Sequence, residues 1–156
     1  MAYLNETQPV HGCVFCLHAH EDKDTENYVV HRGERCFALL NLYPYNSGHL
    51  LIVPYRHTGD LVELEPETGQ ELFSTTQLAM QVFKEVMQPE GFNLGVNQGK
   101  AAGAGIADHI HLHVIPRWGG DTNFMPVLAD AKVIPELLTA TASRLRDGFT
   151  KLSSAS

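Results

Sequence analysis

His109-Ile110-His111-Leu112-His113-Val114-Ile115-Pro116-Arg117 alternates imidazoles with branched apolar side chains. A period of two is that of a β-strand. Ile110, Leu112 and Val114 then share the face toward a core. His109, His111 and His113 share the other, successive rings about 7 Å apart along the chain. Pro116 has no amide to give to a ladder and is expected to end the strand. Three imidazoles on one strand face are poor core material and poor surface material, so the stretch points to chemistry. His49 and His57 add two more rings elsewhere in the chain.

The pattern His-apolar-His-apolar-His-apolar-apolar, read at His109, His111, His113, Val114 and Ile115, resembles the signature of the histidine-triad (HIT) family of nucleotide hydrolases and transferases. Asn41, Gly48-His49 before Leu50-Leu51-Ile52-Val53-Pro54, and Asn97 agree with it. The resemblance covers roughly residues 13–146, nearly the whole chain, which is read as one HIT domain over 1–156.

The rest of the chain bounds the answer. Its 156 residues suit one domain with a real core, and 44% hydrophobic against 19% charged residues is a globular composition. No apolar run reaches the length of a membrane span, and Met1-Ala2-Tyr3-Leu4-Asn5-Glu6 lacks the regions of a signal peptide. A formal net charge of −7 repels phosphate backbones, so neither a nucleic-acid polymer nor a membrane is expected as a partner. Three cysteines, Cys13, Cys16 and Cys36, argue against a disulfide scaffold and for a reducing, cytoplasmic compartment.

Strands are expected at Tyr28–His31, Cys36–Leu40, His49–Val53 and Phe92–Asn97, with the triad strand as the fifth. Leu72, Leu78, Ala79, Val82, Phe83 and Val86 recur at three- and four-residue steps and mark an amphipathic helix, opened by Pro66 and stopped before Pro89. A last helix opens at Ile134-Pro135 and runs toward Arg146. Residues 1–11 read as loosely held, and the polar stretch after Cys16 as a loop. The fold class is α+β: a HIT-like antiparallel sheet of about five strands, with two main helices on one side.

Neutral imidazole attacks phosphorus well, and the phosphorylated ring can pass its group on in a second step. Phosphoryl transfer otherwise asks for positioning and positive potential. The resemblance assigns the parts. His111 is the nucleophile that forms a nucleotidyl-histidine at an α-phosphate. His113 binds phosphate or bridging oxygens, with His109 and His49 in support. Asn41 holds ribose hydroxyls, and Asn97 lies near the leaving phosphate, with Gln98 its competitor. Phe37 and Leu39 line a base pocket or simply pack. Arg117 reaches a distal phosphate or pairs with an acid; Trp118 stacks on a second base or meets a partner subunit. Relatives often carry a small hydroxyl just before the triad. Here Gly105-Ile106-Ala107-Asp108 has none, so backbone amides from Gly103 to Gly105, with Lys100, are expected to bind the anion.

Cys13-x-x-Cys16 alone reads as a zinc knuckle, a redox pair or a coincidence, and no strand precedes it as a redox pair requires. The resemblance supplies two further ligands, giving structural zinc on Cys13, Cys16, His57 and His109, with His18 and His20 as local rivals of His57. The post-triad string Pro116 to Phe124 resembles a bacterial branch that includes diadenosine tetraphosphate phosphorylases. Adenosine nucleotides or dinucleoside polyphosphates are the expected ligands, and a homodimer the expected assembly. The alternatives are a nucleoside phosphoramidate hydrolase and a non-catalytic nucleotide-binding regulator.

Overall fold

The computed structural model describes residues 2–42, 48–121 and 135–155. Five strands form one sheet: β1 (Val29–Arg32), β2 (Cys36–Leu40), β3 (Leu50–Pro54), β4 (Gly91–Val96) and β5 (Leu112–Arg117). Their order across the sheet is β1-β2-β3-β5-β4, and every neighbouring pair is antiparallel. The helices are α1 (Ala2–Glu6), α2 (Val14–His20), α3 (Pro66–Val86) and α4 (Pro135–Ser154). The loop residues Tyr43–Ser47 and Thr122–Phe124, and the expected helix opening at Ile134, lie outside the described residues.

β2 and β3 are apolar at every position because both faces of the sheet are covered there. Cys36, Ala38, Leu40, Leu50 and Ile52 pack with Leu72, Ala79, Val82 and Phe83 of α3 and Leu145 and Phe149 of α4. Fully burying a leucine or isoleucine contributes about 1.5–3 kcal/mol over leaving it exposed. This layer contains the two long helices read from the sequence.

The other face departs from the reading. Phe37, Leu39, Leu51, Val53 and Tyr55 are buried beneath Leu4 of α1 and Phe15 and Ala19 of α2. Residues 1–11 are therefore not loose throughout, and the stretch after Cys16 is helical rather than a loop. Seven residues make two turns, too few for periodicity to show. The N-cap is Cys13, whose Sγ accepts from the Cys16 amide at 3.5 Å.

The triad strand also shifts. Pairing begins at Leu112, not His109, and continues through Pro116 to Arg117. β3 pairs with β5 only as far as Val114, so at Pro116 the strand has β4 as its one ladder neighbour. Among the described residues, no helix is long and apolar enough to cross a membrane.

Candidate active site and metal centre

Strand alternation puts the histidines on the face that α1 and α2 cover. Leu112 and Val114 point into the helical layer, and His113, opposite Leu51, points away from it. His49 enters β3 from Gly48, whose φ is +88° and where an added Cβ would stand 3.0 Å from Phe83 and 3.1 Å from the Met87 sulfur. Glycine is required there by both conformation and space.

Hydrogen bonds fix the tautomers around these rings. With the Asn41 amide nitrogen donating to His49 Nδ1 at 3.4 Å, the His49 proton sits on Nε2 and is donated to His113 Nδ1 at 2.9 Å. The remaining proton of neutral His113 is then on Nε2. His111 Nδ1 lies 2.9 Å from the His109 carbonyl, which can only accept, so that nitrogen carries the proton and Nε2 keeps its lone pair. Burial pushes His49 down to about 3, with the neighbouring His113 and His111 adding to it. Burial also lowers His111, and it lowers His113, where the charge of His111 adds. All three rings are neutral at neutral pH. A neutral acceptor at His111 beside a donor at His113 is an arrangement for attack on phosphorus with a proton held nearby.

Asn97 follows β4, and one more step in the β4–β5 register sets it opposite His111. Its side chain is exposed, with no side-chain hydrogen bond among the described residues, whereas Gln98 donates to Asp60 at 3.2 Å and accepts from the Leu61 amide at 3.0 Å. Gln98, the competitor, is thus engaged in holding a turn.

Other expected contacts are not brought together. Phe37 and Leu39 are buried in the core under the N-terminal helices, Phe37 stacked on Tyr55 with ring centroids 5.5 Å apart. They present no surface to a base; core packing is where they stand. Arg117 pairs with Asp121 at 3.0 Å and donates to Asn93, the acid-pairing option. The expected amide nest fails at two of its three positions. The Gly103 amide donates to Lys100 O at 3.0 Å, and the Ala104 amide to Gly99 O at 3.3 Å, closing a 3-10 turn. Lys100 and Gly105 instead line a cavity of about 450 Å³ with Gly12, Cys13 and His57, and neither His111 nor His113 borders it.

The fourth triad-region ring serves a different cluster. Cys13, Cys16, His57 and His109 place their ligand atoms within 4.8 Å of one another. His109 Nδ1 is 3.2 Å from His57 Nδ1, 3.3 Å from Cys13 Sγ and 3.7 Å from Cys16 Sγ; Cys16 Sγ is 3.4 Å from His57 Nδ1. Four ligands at 2.0–2.3 Å from a tetrahedral centre stand about 3.3–3.8 Å apart, so the donor set fits a metal ion. His109 Nε2 donates to the Pro54 carbonyl at 2.7 Å, which leaves Nδ1 as a lone pair aimed at the cluster. Burial pushes the Cys16 thiol up, a direction that a bound cation reverses because ligation takes the thiolate. Of the rivals, His20 is occupied by the carbonyls of Cys16 and Thr7, and His18 is outside the cluster.

Several of these supports were not legible as motifs. The Pro54 and His109 carbonyls belong to the backbone and leave no mark in side-chain identity. Gly59 brings the His57 loop against the 105–109 loop: an added Cβ there would lie 2.3 Å from the Ala107 carbonyl oxygen. The glycine two residues after His57 was its one trace in the sequence. Phe15 touches both His109 and His111, with ring centroids 5.4 and 5.0 Å away.

Known proteins resemble this chain in sequence and in fold. The chain is 51% identical over 118 residues to a Mycobacterium tuberculosis protein named AP-4-A phosphorylase, covering 76% of this chain and 60% of that protein. The chain thus spans about 60% of the length of that relative. A Schizosaccharomyces pombe protein named bis(5'-nucleosyl)-tetraphosphatase [asymmetrical] is 33% identical over 93 residues, 60% of this chain and 50% of its own. Among solved structures, a Zn-bound histidine triad family protein from Mycobacterium smegmatis superposes with a TM-score of 0.73 at 29% identity, covering 93% of this chain and 98% of that one. The HIT domain model matches residues 22–120, which hold the whole sheet, the Asn41–His49–His113 relay and the His111 ring, and the chain belongs to the HIT family.

Proposed function

We propose that the protein cleaves adenosine dinucleoside polyphosphates at an α-phosphate through a nucleotidyl-histidine on His111. The observation that carries this is the fixed tautomer of His111. Its Nδ1–H is held by the His109 carbonyl, so Nε2 is the free nucleophilic nitrogen. Nε2 attacks the α-phosphorus and the bond to the bridging oxygen breaks. His113 Nε2–H, set by His49 and Asn41, donates to that oxygen as charge develops on it. Asn97, opposite His111 in register, is the candidate for the leaving phosphates. With diadenosine tetraphosphate the first products are adenylyl-His111 and ATP.

The acceptor in the second step is inorganic phosphate, giving ADP and free His111. The similarity to the mycobacterial AP-4-A phosphorylase supports phosphate over water. Gly95, paired with His113, leaves room beside the ring, since an added Cβ there would meet nothing within 4 Å. Isotope-labelled phosphate tests the reading: label enters ADP, and mass spectrometry finds the adenylyl group on His111. His111→Ala loses turnover while keeping its fold. Unlabelled AMP in place of labelled ADP refutes phosphorolysis, and robust turnover by His111→Ala refutes the nucleophile.

Zinc is the metal that suits two thiolates and two imidazoles at tetrahedral spacing, and Cys13, Cys16, His57 and His109 would hold it. With four protein ligands, it would supply structure rather than an open catalytic position. It would tie α2 to the side chains of His57 and His109. A homodimer is supported by β4, an edge strand whose Leu94 is 47% exposed, and by Phe73, 62% exposed on α3. A cytoplasmic setting is supported by three cysteines without a disulfide.

A further inference from the structure

The geometry points to Phe15 as a positioning residue for His111: its ring packs against the His111 imidazole and keeps Nδ1 on the His109 carbonyl and Nε2 toward the substrate. The inference rests on His111 being the nucleophile.

An imidazole turns about its second side-chain torsion in a broad, two-fold well, so the backbone leaves its orientation open. Turning the ring over exchanges Nδ1 with a carbon and loses the bond to the His109 carbonyl. That single hydrogen bond is a modest restraint. Phe15 adds a wall. Its ring centroid is 5.0 Å from that of His111 at 57°, and 5.4 Å from that of His109 at 74°. It therefore touches both the ring that reacts and the residue whose carbonyl orients it. His113 packs against His111 as well, centroids 4.9 Å apart at 60°.

Phe15 is itself held firmly. It is 2% exposed and packs with Val29, Phe37, Leu51 and Val53. It lies between Cys13 and Cys16, two of the four clustered ligands, with Cys16 directly beside it. At the far end of α2, Arg32 donates to the carbonyls of His18, Ala19 and Glu21. A wall fixed at both ends is stiff enough to select one orientation of a neighbouring ring. A phenyl ring also brings no proton or hydrogen-bonding group to compete for either nitrogen.

Phe15→Leu keeps an apolar side chain and removes the ring. In the metal-loaded protein, nitrogen-15 NMR of the histidines reads the His111 tautomer directly. The wild type shows a single Nδ1–H form, and Phe15→Leu shows a mixture. The turnover number for diadenosine tetraphosphate falls about 10- to 100-fold, the scale expected when a reacting group is misplaced by an ångström or less. KM and metal content stay at wild-type values. If Phe15→Leu does not fold, Phe15→Met carries the same expectation. An unchanged tautomer with unchanged turnover overturns the inference. So does a raised KM at unchanged turnover, which would make Phe15 a nucleotide contact. A wild type that shows the single tautomer but never adenylylates His111 refutes the proposed function, while the tautomer comparison still decides the role of Phe15.

Discussion

His49 shows how much a single ring is asked to do. It is fully buried, accepts from Asn41 and donates to His113, and it does so only while neutral. Its pKa is about 3 in the folded chain against an ordinary 6.5. Between those values the unfolded chain binds the proton and the folded chain does not, so stability from this residue is full above about pH 6.5 and is lost as pH falls toward 3. His49→Gln removes that titration. Melting temperature plotted from pH 7 to pH 4 is expected to fall less steeply for His49→Gln than for the wild type. Parallel slopes would place the acid sensitivity elsewhere. The same ring was visible in the sequence as a histidine after glycine at a strand start. What the sequence withheld was direction: which nitrogen donates depends on Asn41, eight residues away along the chain and adjacent only in space.

At the scale of elements, legibility followed length. α3 spans 21 residues, Pro66–Val86; Pro66 marked its first turn, the apolar steps from Leu72 to Val86 marked its body, and its end was legible only as lying before Pro89. α2 has seven residues and no stability of its own, since isolated helices below about 12–15 residues are marginal in water. Its existence depends on contacts with distant residues, which a local pattern cannot report. Arg32 is chief among them: it pairs with Asp24 at 2.8 Å and fills three carbonyls at the C-terminal end of the helix, where a cation also meets the favourable end of the dipole. Arg32→Met keeps the stem and removes the donors. It is expected to cost about 1–3 kcal/mol, because three part-buried carbonyls lose their partner and half-exposed Asp24 loses its countercharge. It should also speed metal loss to a chelator, since α2 carries Cys13 as its cap and Cys16 in its first turn. Thermal melts and a colorimetric metal-release assay check both. Melting and release at wild-type values would show that α2 is held by its apolar face alone.

Over the whole molecule, the sheet separates two kinds of support. One face rests on α3 and α4, a conventional apolar layer. The other rests on the first twenty residues, which lie outside the stretch matched by the family model and carry Cys13, Phe15 and Cys16. A metal bound by that cluster would therefore be part of what holds the second face closed. Chelation is expected to lower the melting temperature before it weakens nucleotide binding, as scanning calorimetry and a titration with a non-hydrolysable dinucleotide would measure. A chelated protein with unchanged melting would remove the metal from this role. The residue types of both sites were readable because few side chains do their chemistry. The sharing of His109 was only half readable: its side chain belongs to the metal cluster and its carbonyl to His111.

Cys13 and Cys16 precede His109 by 96 and 93 residues. On a ribosome adding about 5–20 residues per second, both thiols emerge roughly 5–20 seconds before the fourth ligand exists. During that interval neither cysteine can be protected by a completed site. A metal site built on these thiols would therefore depend on surroundings that keep nascent cysteines reduced, and His111, two residues after His109, can be oriented by the His109 carbonyl only once that late stretch has been made.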